Sequence, residues 1–402
     1  MLSRSSYKSK AELTLITEKG KEINIPSYYI NSIVTDYKFE DAIMPIIYLQ
    51  LQINIELYNM IVNNAREGKF FFSLRNYDVR NEMSIEKDSI RSQFIYFLPP
   101  DANELKTVNF PDYDPATKTK SLLVGLIKIE LMNQNRVAFS GIYNNTDTIS
   151  LLNYTLSDLK KVIISDIENN TEYPKFIFTP KDTRSEAIKF IFDTDEFYNT
   201  MFTLFYDFDI TYLINRNGKA ANEKASMNTV IFNINQVDET GAVVDGIFKD
   251  ISSNSYNIFV STSDTNVNIN SSTGKNINTI VGVDKDEVTI SNLYDNKSIA
   301  SINKSSSMNN NNKLTFVKSG SHKTKILKNE IDNTLVLTQI SKMYIDSSII
   351  TPDKAYFINY SNPDYKKYNG RYLLMSKKDV YLKSGGEFTP LTQMEFRYIS
   401  EQ

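Results

Sequence analysis

Ile46-Ile47-Tyr48-Leu49-Gln50-Leu51-Gln52-Ile53-Asn54 alternates without a break: Ile47, Leu49, Leu51 and Ile53 fall on one side of an extended chain, Tyr48, Gln50 and Gln52 on the other. Successive side chains of a strand point to opposite faces, so this run has an apolar and a polar face. Such a strand belongs to an antiparallel sheet or barrel, packed on one side and wet on the other. Upstream, residues 12–16 and 22–25 read as a hairpin turning at Lys19-Gly20, and residues 29–36 alternate again. Downstream the period changes: Leu57, Met60, Ile61 and Asn64 suit a short helix ended near Gly68. Residues 69–74 and 90–98 return to strand, the second closed by Pro99-Pro100, and residues 101–120 are loop-like. Residues 122–132 and 136–143 read as a hairpin around Asn133-Gln134-Asn135. Residues 1–150 are therefore expected to form a mainly antiparallel β domain with one inserted helix.

The pattern shifts after Leu152. Ser157 can cap a helix carrying Leu159, Val162, Ile163 and Ile167. Thr194 can cap a second, with Phe197, Met201, Leu204, Phe205 and Phe208 on one stripe, running into Ile210-Thr211-Tyr212-Leu213-Ile214. Residues 151–222 thus read as a small α/β domain. Strands resume at 229–237. Residues 251–328 are rich in Ser and Asn, including Asn309-Asn310-Asn311-Asn312, and read as a polar, loop-rich insertion. Within it Ile258-Phe259-Val260 and Glu287-Val288-Thr289-Ile290 keep strand character. The end is β again, at 334–345, 355–360, 370–376, 380–383 and 393–399. The fold class is mainly β (α+β): a duplicated antiparallel β-barrel, 1–150 and then 223–250 with 329–402, flanking the α/β unit.

Composition narrows the chemistry. The 402 residues hold 45 basic and 48 acidic side chains, a net charge of −3, so no global attraction to nucleic acid or an acidic membrane follows. Cys is absent, which excludes disulfides, thiolate metal sites and a cysteine nucleophile, and the one histidine, His322, excludes multi-histidine metal sites. No apolar run approaches the roughly 20 residues of a membrane helix, and Met1-Leu2-Ser3-Arg4-Ser5-Ser6 has no apolar core behind it, so no signal peptide is expected. Abundant Asn, Ile, Lys and Tyr against only 13 Gly and 11 Pro read as an AT-rich coding genome. The 25 Tyr and 23 Phe lie mostly on strand periods, which points to core and interface before a glycan platform.

Reactive constellations fare poorly. His322 sits in the polar run Lys318-Ser319-Gly320-Ser321-His322-Lys323-Thr324, an exposed-loop setting for a triad centre. Ser157-Asp158-Leu159-Lys160 matches serine–x–x–lysine in letters, but a capping serine followed by a surface lysine gives the same ones. Asp193, Asp195 and Glu196 could hold a hard cation, yet acids in a first helical turn are favoured by the helix dipole alone, and Asp112 and Asp114, between prolines, are read as no cation site either. Thr273-Gly274-Lys275-Asn276 lacks the earlier glycine and the hydroxyl of a phosphate loop. Lys366-Lys367 and Lys377-Lys378 read as solvated faces. No catalytic, cofactor-binding or metal-binding residue is assigned, no cofactor is expected, and the chain is read as not an enzyme.

Two stretches and the tail resemble a known family. Tyr29-Ile30-Asn31-Ser32-Ile33-Val34-Thr35-Asp36-Tyr37 with Met44-Pro45-Ile46-Ile47-Tyr48-Leu49 resembles the first barrel of baseplate hub proteins of contractile injection systems. Phe197 to Leu213, with the Asn217-Gly218-Lys219 turn, resembles their middle domain. Ile350-Thr351-Pro352-Asp353-Lys354, Tyr368-Asn369-Gly370-Arg371-Tyr372 and Phe388 to Phe396 resemble their last barrel, with Asp353 where members often carry glycine. The resemblance implies two tube-type barrels per chain and a homotrimer, which presents six similar units to a tail tube or tube-initiator protein. It also implies a central spike protein below, wedge or accessory proteins around, and non-specific passage of DNA along an axial channel. Membrane insertion is not implied. The place would be a virion baseplate assembled in a host bacterial cytoplasm. Gln50, Gln52, Lys128 and Glu130 are the face residues expected in the tube strands. The rivals are a receptor-binding tail appendage and a cell-wall hydrolase using paired carboxylates.

Overall fold

The computed structural model describes residues 2–4, 7–38, 44–78, 87–99, 112–164, 172–179, 183–193, 202–207, 210–215, 229–237, 246–250, 255–261, 267–271, 278–284, 287–292, 298–300, 313–318, 336–343 and 350–400. The first part holds β1 (Leu2–Arg4), β2 (Tyr7–Ile16), β3 (Glu22–Ile25), β4 (Ile30–Lys38), β5 (Ile46–Asn54), α1 (Ile55–Asn63), β6 (Lys69–Asp78), β7 (Lys87–Phe97), β8 (Tyr113–Asp114) and β9 (Thr119–Lys128). Then come α2 (Ile129–Arg136), β10 (Gly141–Asp147), α3 (Thr148–Thr155), β11 (Lys161–Ile164), β12 (Glu172–Phe178), α4 (Arg184–Asp193), β13 (Phe202–Tyr206) and β14 (Thr211–Asn215). The rest holds β15 (Thr229–Val237), β16 (Gly246–Asp250), β17 (Ser255–Ser261), β18 (Val267–Ser271), β19 (Asn278–Asp284), β20 (Glu287–Asn292), β21 (Ser298–Ala300), β22 (Lys313–Lys318), β23 (Val336–Met343), β24 (Ala355–Tyr360), β25 (Gly370–Ser384) and β26 (Glu387–Ser400).

Eight strands close on themselves. The circuit runs β2, β6, β7, β9, β5, β4, β25, β26 and returns to β2 at Ser9–Phe388, antiparallel throughout. The alternation in β5 sets the inside: Ile47, Leu49, Leu51 and Ile53 are all buried, with Leu13, Leu15, Phe70, Phe72 and Phe94 around them. Each such side chain contributes roughly 1.5–3 kcal/mol when buried. The interior is packed, so this barrel is a core and not a pore. α1 covers one end. Asn54 caps it by accepting from the Leu57 N–H at 2.8 Å, Leu57 and Ile61 enter the barrel core, and the Tyr96 hydroxyl donates to the Ile61 carbonyl at 2.5 Å.

The end of the chain builds part of this first barrel. β25 and β26 are 15 and 14 residues long, more than one wall needs. Ser376–Leu382 pair with β4, whereas Tyr372, Arg371 and Gly370 pair with β24. A bulge between Leu374 and Ser376 marks the change, since an extra residue bends a strand and re-aims it. One hairpin therefore serves two sheets, and residues 376–382, grouped by sequence with the second β unit, lie in the wall of the first. Gly370 stands at φ 153°, a backbone region that a Cβ disfavours, where the strand leaves the Asn369 turn.

The second sheet runs β1, β16, β17, β15, β24, β25, β26, β23, β18. It buries Phe232, Ile234, Tyr356, Ile358 and Phe396 on one side. Unlike the first it is mixed, because β15 lies parallel to both β17 and β24. Within the expected loop-rich insertion, β17 joins this sheet and β19 to β22 form a four-stranded sheet of their own.

Between the two lies the α/β unit, where three expected elements differ. Residues 129–136 are helix α2 and not the arm of a hairpin, because Leu131 and Gln134, three apart, share a buried face that a helix can supply. No helix starts at Ser157: α3 ends at Thr155 and is capped at its own start by Asp147, which accepts from the Ser150 N–H at 2.7 Å. The β-branched run Val162-Ile163-Ile164 is strand β11, parallel to β14. Leu204 and Phe205 lie on strand β13, antiparallel to β14, and not on a helical stripe. Residues 194–201, where that helix was expected to start, fall outside the described residues.

Candidate functional site

The reactive candidates disperse. His322, Asp195, Glu196 and Thr273 to Asn276 fall outside the described residues, and Asp193 is the last residue of α4. Ser157 is exposed and its hydroxyl donates to Asp158 at 3.2 Å, while Asp158 pairs with Arg184. Its neighbour is thus a carboxylate and not the activating amine that serine–lysine chemistry requires. Asp114 accepts from the Thr117 hydroxyl at 2.7 Å and the Ala116 N–H at 2.9 Å, bonds that hold its carboxyl below the usual range. It shapes a turn. Among the described residues no three His, Cys, Asp or Glu side chains gather as metal ligands, and no helix is long and apolar enough to cross a membrane.

The barrel wall carries the organised polar chemistry instead. Gln50 and Gln52 sit on the outer face of β5, as the alternation requires, but they bond along the wall. Gln50 is buried and accepts from the Ser32 hydroxyl at 3.2 Å, and Gln52 donates to the Thr119 hydroxyl at 2.9 Å. They tie β5 to both of its neighbours. Lys128 is half-buried at the end of β9, directly opposite Phe94. Glu130 belongs to the first turn of α2 and is not a tube-strand residue.

A second polar array crosses the other sheet. Asn233 donates to Ser255 at 3.0 Å and to Asn257 at 3.2 Å, and Asn359 donates to Asn233 at 3.0 Å. Asn257, Asn233 and Asn359 stand in register on three parallel strands, so their amides link side by side. The array presents dipoles and no fixed charge. Sequence reading missed it because the register joins residues 24 and 126 positions apart.

The joint between the sheets holds buried charge. Lys377, expected on a solvated face, is buried, and so is Asp379, two residues on and on the same inner face of the barrel. The Lys377 ammonium donates to the Ile350 carbonyl at 3.4 Å and lies over the Tyr37 ring. Asp379 accepts from the Thr392 hydroxyl at 2.9 Å. The reason is parity: Ser376, Lys378 and Val380 take the outer face once β25 pairs with β4. Tyr37 also meets Phe205 at 6.2 Å between ring centres, which brings the α/β unit to the same joint. The neighbouring Thr351-Pro352-Asp353 turn forms without glycine: the Thr351 hydroxyl donates to Asp353 at 2.5 Å and the Tyr356 hydroxyl to the Thr351 carbonyl at 2.7 Å.

The fold has counterparts among solved structures. The tail protein from Neisseria meningitidis MC58 superposes with a TM-score of 0.51 at 8% identity, covering 96% of this chain and 96% of its own. The 43 kDa tail protein of prophage MuSo2 from Shewanella oneidensis gives a TM-score of 0.51 at 8% identity, covering 98% of this chain and 97% of its own. At such identity the likeness is one of fold, and it bears out the mainly β architecture expected from the hub resemblance. No curated protein matches the chain. A family model described as Bacteriophage PBS1 gene 109 protein matches residues 1–394.

Proposed function

The chain belongs to the Bacteriophage PBS1 gene 109 protein family, and from that premise we propose that it is a structural hub of a phage tail baseplate. The observation that carries the reading is the shared hairpin: β25 and β26 are walls of the closed barrel and of the second sheet at once. A joint of that kind fixes two sheets side by side in one chain. Three chains, each holding two such units, would offer six similar faces to a hexameric tail tube and threefold symmetry to a central spike. The second sheet closes into a barrel of its own in this reading. Because the first barrel is filled with side chains, an axial channel forms between subunits. Uncharged outer arrays such as Asn257, Asn233 and Asn359 suit passive DNA passage, since they offer phosphates no fixed cation.

The partners are two further copies of the chain, a tube or tube-initiator protein, a spike, and wedge or accessory proteins at the rim. The chain works as part of the virion, assembled in the host cytoplasm, and has no catalytic role. Light scattering on the purified chain, alone and with its spike partner, is expected to give a trimer. A monomer under both conditions overturns the reading. Incubation with peptidoglycan is expected to release no soluble product, and clear turnover favours a hydrolase instead.

A further inference from the structure

The closed barrel is sealed unevenly. β2 pairs with β6 from Tyr7 to Ile16 along one edge. Its other edge pairs with β3 from Leu13 to Ile16 and with β26 at Ser9–Phe388 alone. β4 and β25, by contrast, hold together from Ser32 to Lys38. The short seam follows from the sequence of β26. Continuing the register of Ser9 and Phe388 puts Pro390 opposite Tyr7, and proline brings no N–H to a ladder. From Thr392 onward the same edge of β26 belongs to β23 in the second sheet. Pro390 thus stands where that edge passes from one sheet to the other, as the bulge between Leu374 and Ser376 does on β25.

Side chains close what the ladder leaves open. The Lys8 ammonium donates to the Thr389 hydroxyl at 3.1 Å across the seam, and the Tyr77 hydroxyl on β6 donates to the Glu387 carboxylate. Lys10 lies 5.2 Å over the Tyr77 ring. On the β25 side of the hairpin tip, the Lys383 ammonium donates to the Tyr28 carbonyl. The tip is Gly385-Gly386, with Gly385 at φ 67° and nothing within 4 Å of where a Cβ would stand on either. Beneath the seam Ser9 and Phe388 are buried. β2 is also tethered from behind, because only Ser5 and Ser6 separate it from β1, which pairs with β16 in the second sheet.

We propose that the β2–β26 seam is a latch. It opens and recloses in the folded chain while β25 stays on β4, and the Tyr77–Glu387 and Lys8–Thr389 bonds are its fastening. A region opens locally where little backbone pairing holds it, and this is the thinnest pairing in the circuit. Opening breaks nothing else: β2 keeps β6, β26 keeps β25 and β23, and β1 keeps the parted edges within reach. The first barrel thereby loosens from the shared hairpin without unfolding, which gives the two sheets freedom to change angle about it. The inference stands on the chain's own pairing and not on its assembly state.

The chain holds no cysteine, so a single introduced thiol reports opening by its alkylation rate. Ser9→Cys puts one at the seam with little change of volume, and the bond it gives up runs to Asn76 on β6, not to β26. Val124→Cys puts one in the buried wall of β9 as the reference. Iodoacetamide in native buffer is expected to label the Ser9→Cys chain at least about tenfold faster than the Val124→Cys chain. Adding Tyr77→Phe, which keeps the ring for Lys10, is expected to speed labelling of the Ser9→Cys chain about tenfold. Adding Asn54→Ala, which weakens the fold away from the seam, is expected to leave it unchanged. Labelling no faster than that of Val124→Cys, or quickened alike by Tyr77→Phe and Asn54→Ala, means that the seam opens only with the whole barrel and overturns the proposal. Should Ser9→Cys fail to fold by circular dichroism, hydrogen exchange of the unaltered chain decides the same question. The seam-facing amides of residues 8–10 and 387–389 are expected to exchange at least about tenfold faster than those of residues 47–53 and 376–382, and equal protection overturns the latch.

Discussion

The Lys377 ammonium stands 4.4 Å from the centre of the Tyr37 ring, inside the barrel wall and beside the bulge where β25 passes from one sheet to the other. A buried cation of this kind contributes register more than stability, because a slip of one residue would carry Lys377 and Asp379 to the outer face and Lys378 and Val380 inside. Asp379→Ala removes a buried anion close to a buried cation and the acceptor of Thr392. It is expected to cost about 3 kcal/mol. Lys377→Met keeps the stem and is expected to cost less in urea denaturation than Lys377→Ala. Equal midpoints for the two would refute a packing role for the stem.

Gly125 sits on the outer face of β9 under the Phe97 ring, and a Cβ placed there would lie 2.5 Å from the ring. Gly125→Ala therefore has to push Phe97 off its seat. The expected cost is about 1–3 kcal/mol. Phe97→Leu, itself mildly destabilising, is expected to absorb most of the penalty in the double variant, so the two changes should be far from additive in thermal or urea melts.

How far the amino-acid order discloses this fold depends on where the partners lie. The alternation in β5 names the barrel core directly, because its period is local and every second residue is buried. The Leu57 and Ile61 face of α1 was legible for the same reason. α2 was not: Asn133-Gln134-Asn135 has turn chemistry, and tertiary burial of Leu131 and Gln134 overrides it. The outer half of β25 was assigned to the later sheet because nothing local tells that Ser376–Leu382 pair with β4, more than 300 residues earlier. Lys377 was read as surface because its burial depends on that pairing alone. The asparagine array stayed hidden likewise, since it is assembled from distant segments.

Several hydroxyls make the fold sensitive to alkali. Burial pushes Tyr206 up to about 12 against a weaker opposing bond from Ser185, and it raises Tyr96, Tyr212 and Tyr356 as well. These groups hold their protons more tightly folded than unfolded, so the folded state binds more protons above about pH 10 and stability falls as pH rises. For Tyr206 alone the loss reaches about 2 kcal/mol near pH 12. Urea midpoints are expected to hold near about pH 8 and to drop by about pH 11, with a late part of the tyrosinate absorbance, beyond that of the exposed rings, rising in step with unfolding. Ionisation of all 25 tyrosines in a chain that stays folded by circular dichroism would contradict the burial of these hydroxyls.

Asn54 is the last residue of β5 and the cap of α1, and its amide works in two directions. Its oxygen accepts from the Leu57 N–H at 2.8 Å and its nitrogen donates to the Tyr29 hydroxyl at 3.3 Å. Asn54→Ala loses both bonds, and a lost cap costs about 1 kcal/mol. Asn54→Asp keeps the cap and places a negative charge at the helix N-terminus, where the dipole favours it, but it can no longer donate to Tyr29. The expected order of stability is Asp close to wild type and Ala below both. The two variants should look alike only where Tyr29 is the probe, as greater exposure of that ring to solute quenchers. If Ala matched wild type in stability, the cap would be ornamental and α1 would be held by Leu57 and Ile61 alone.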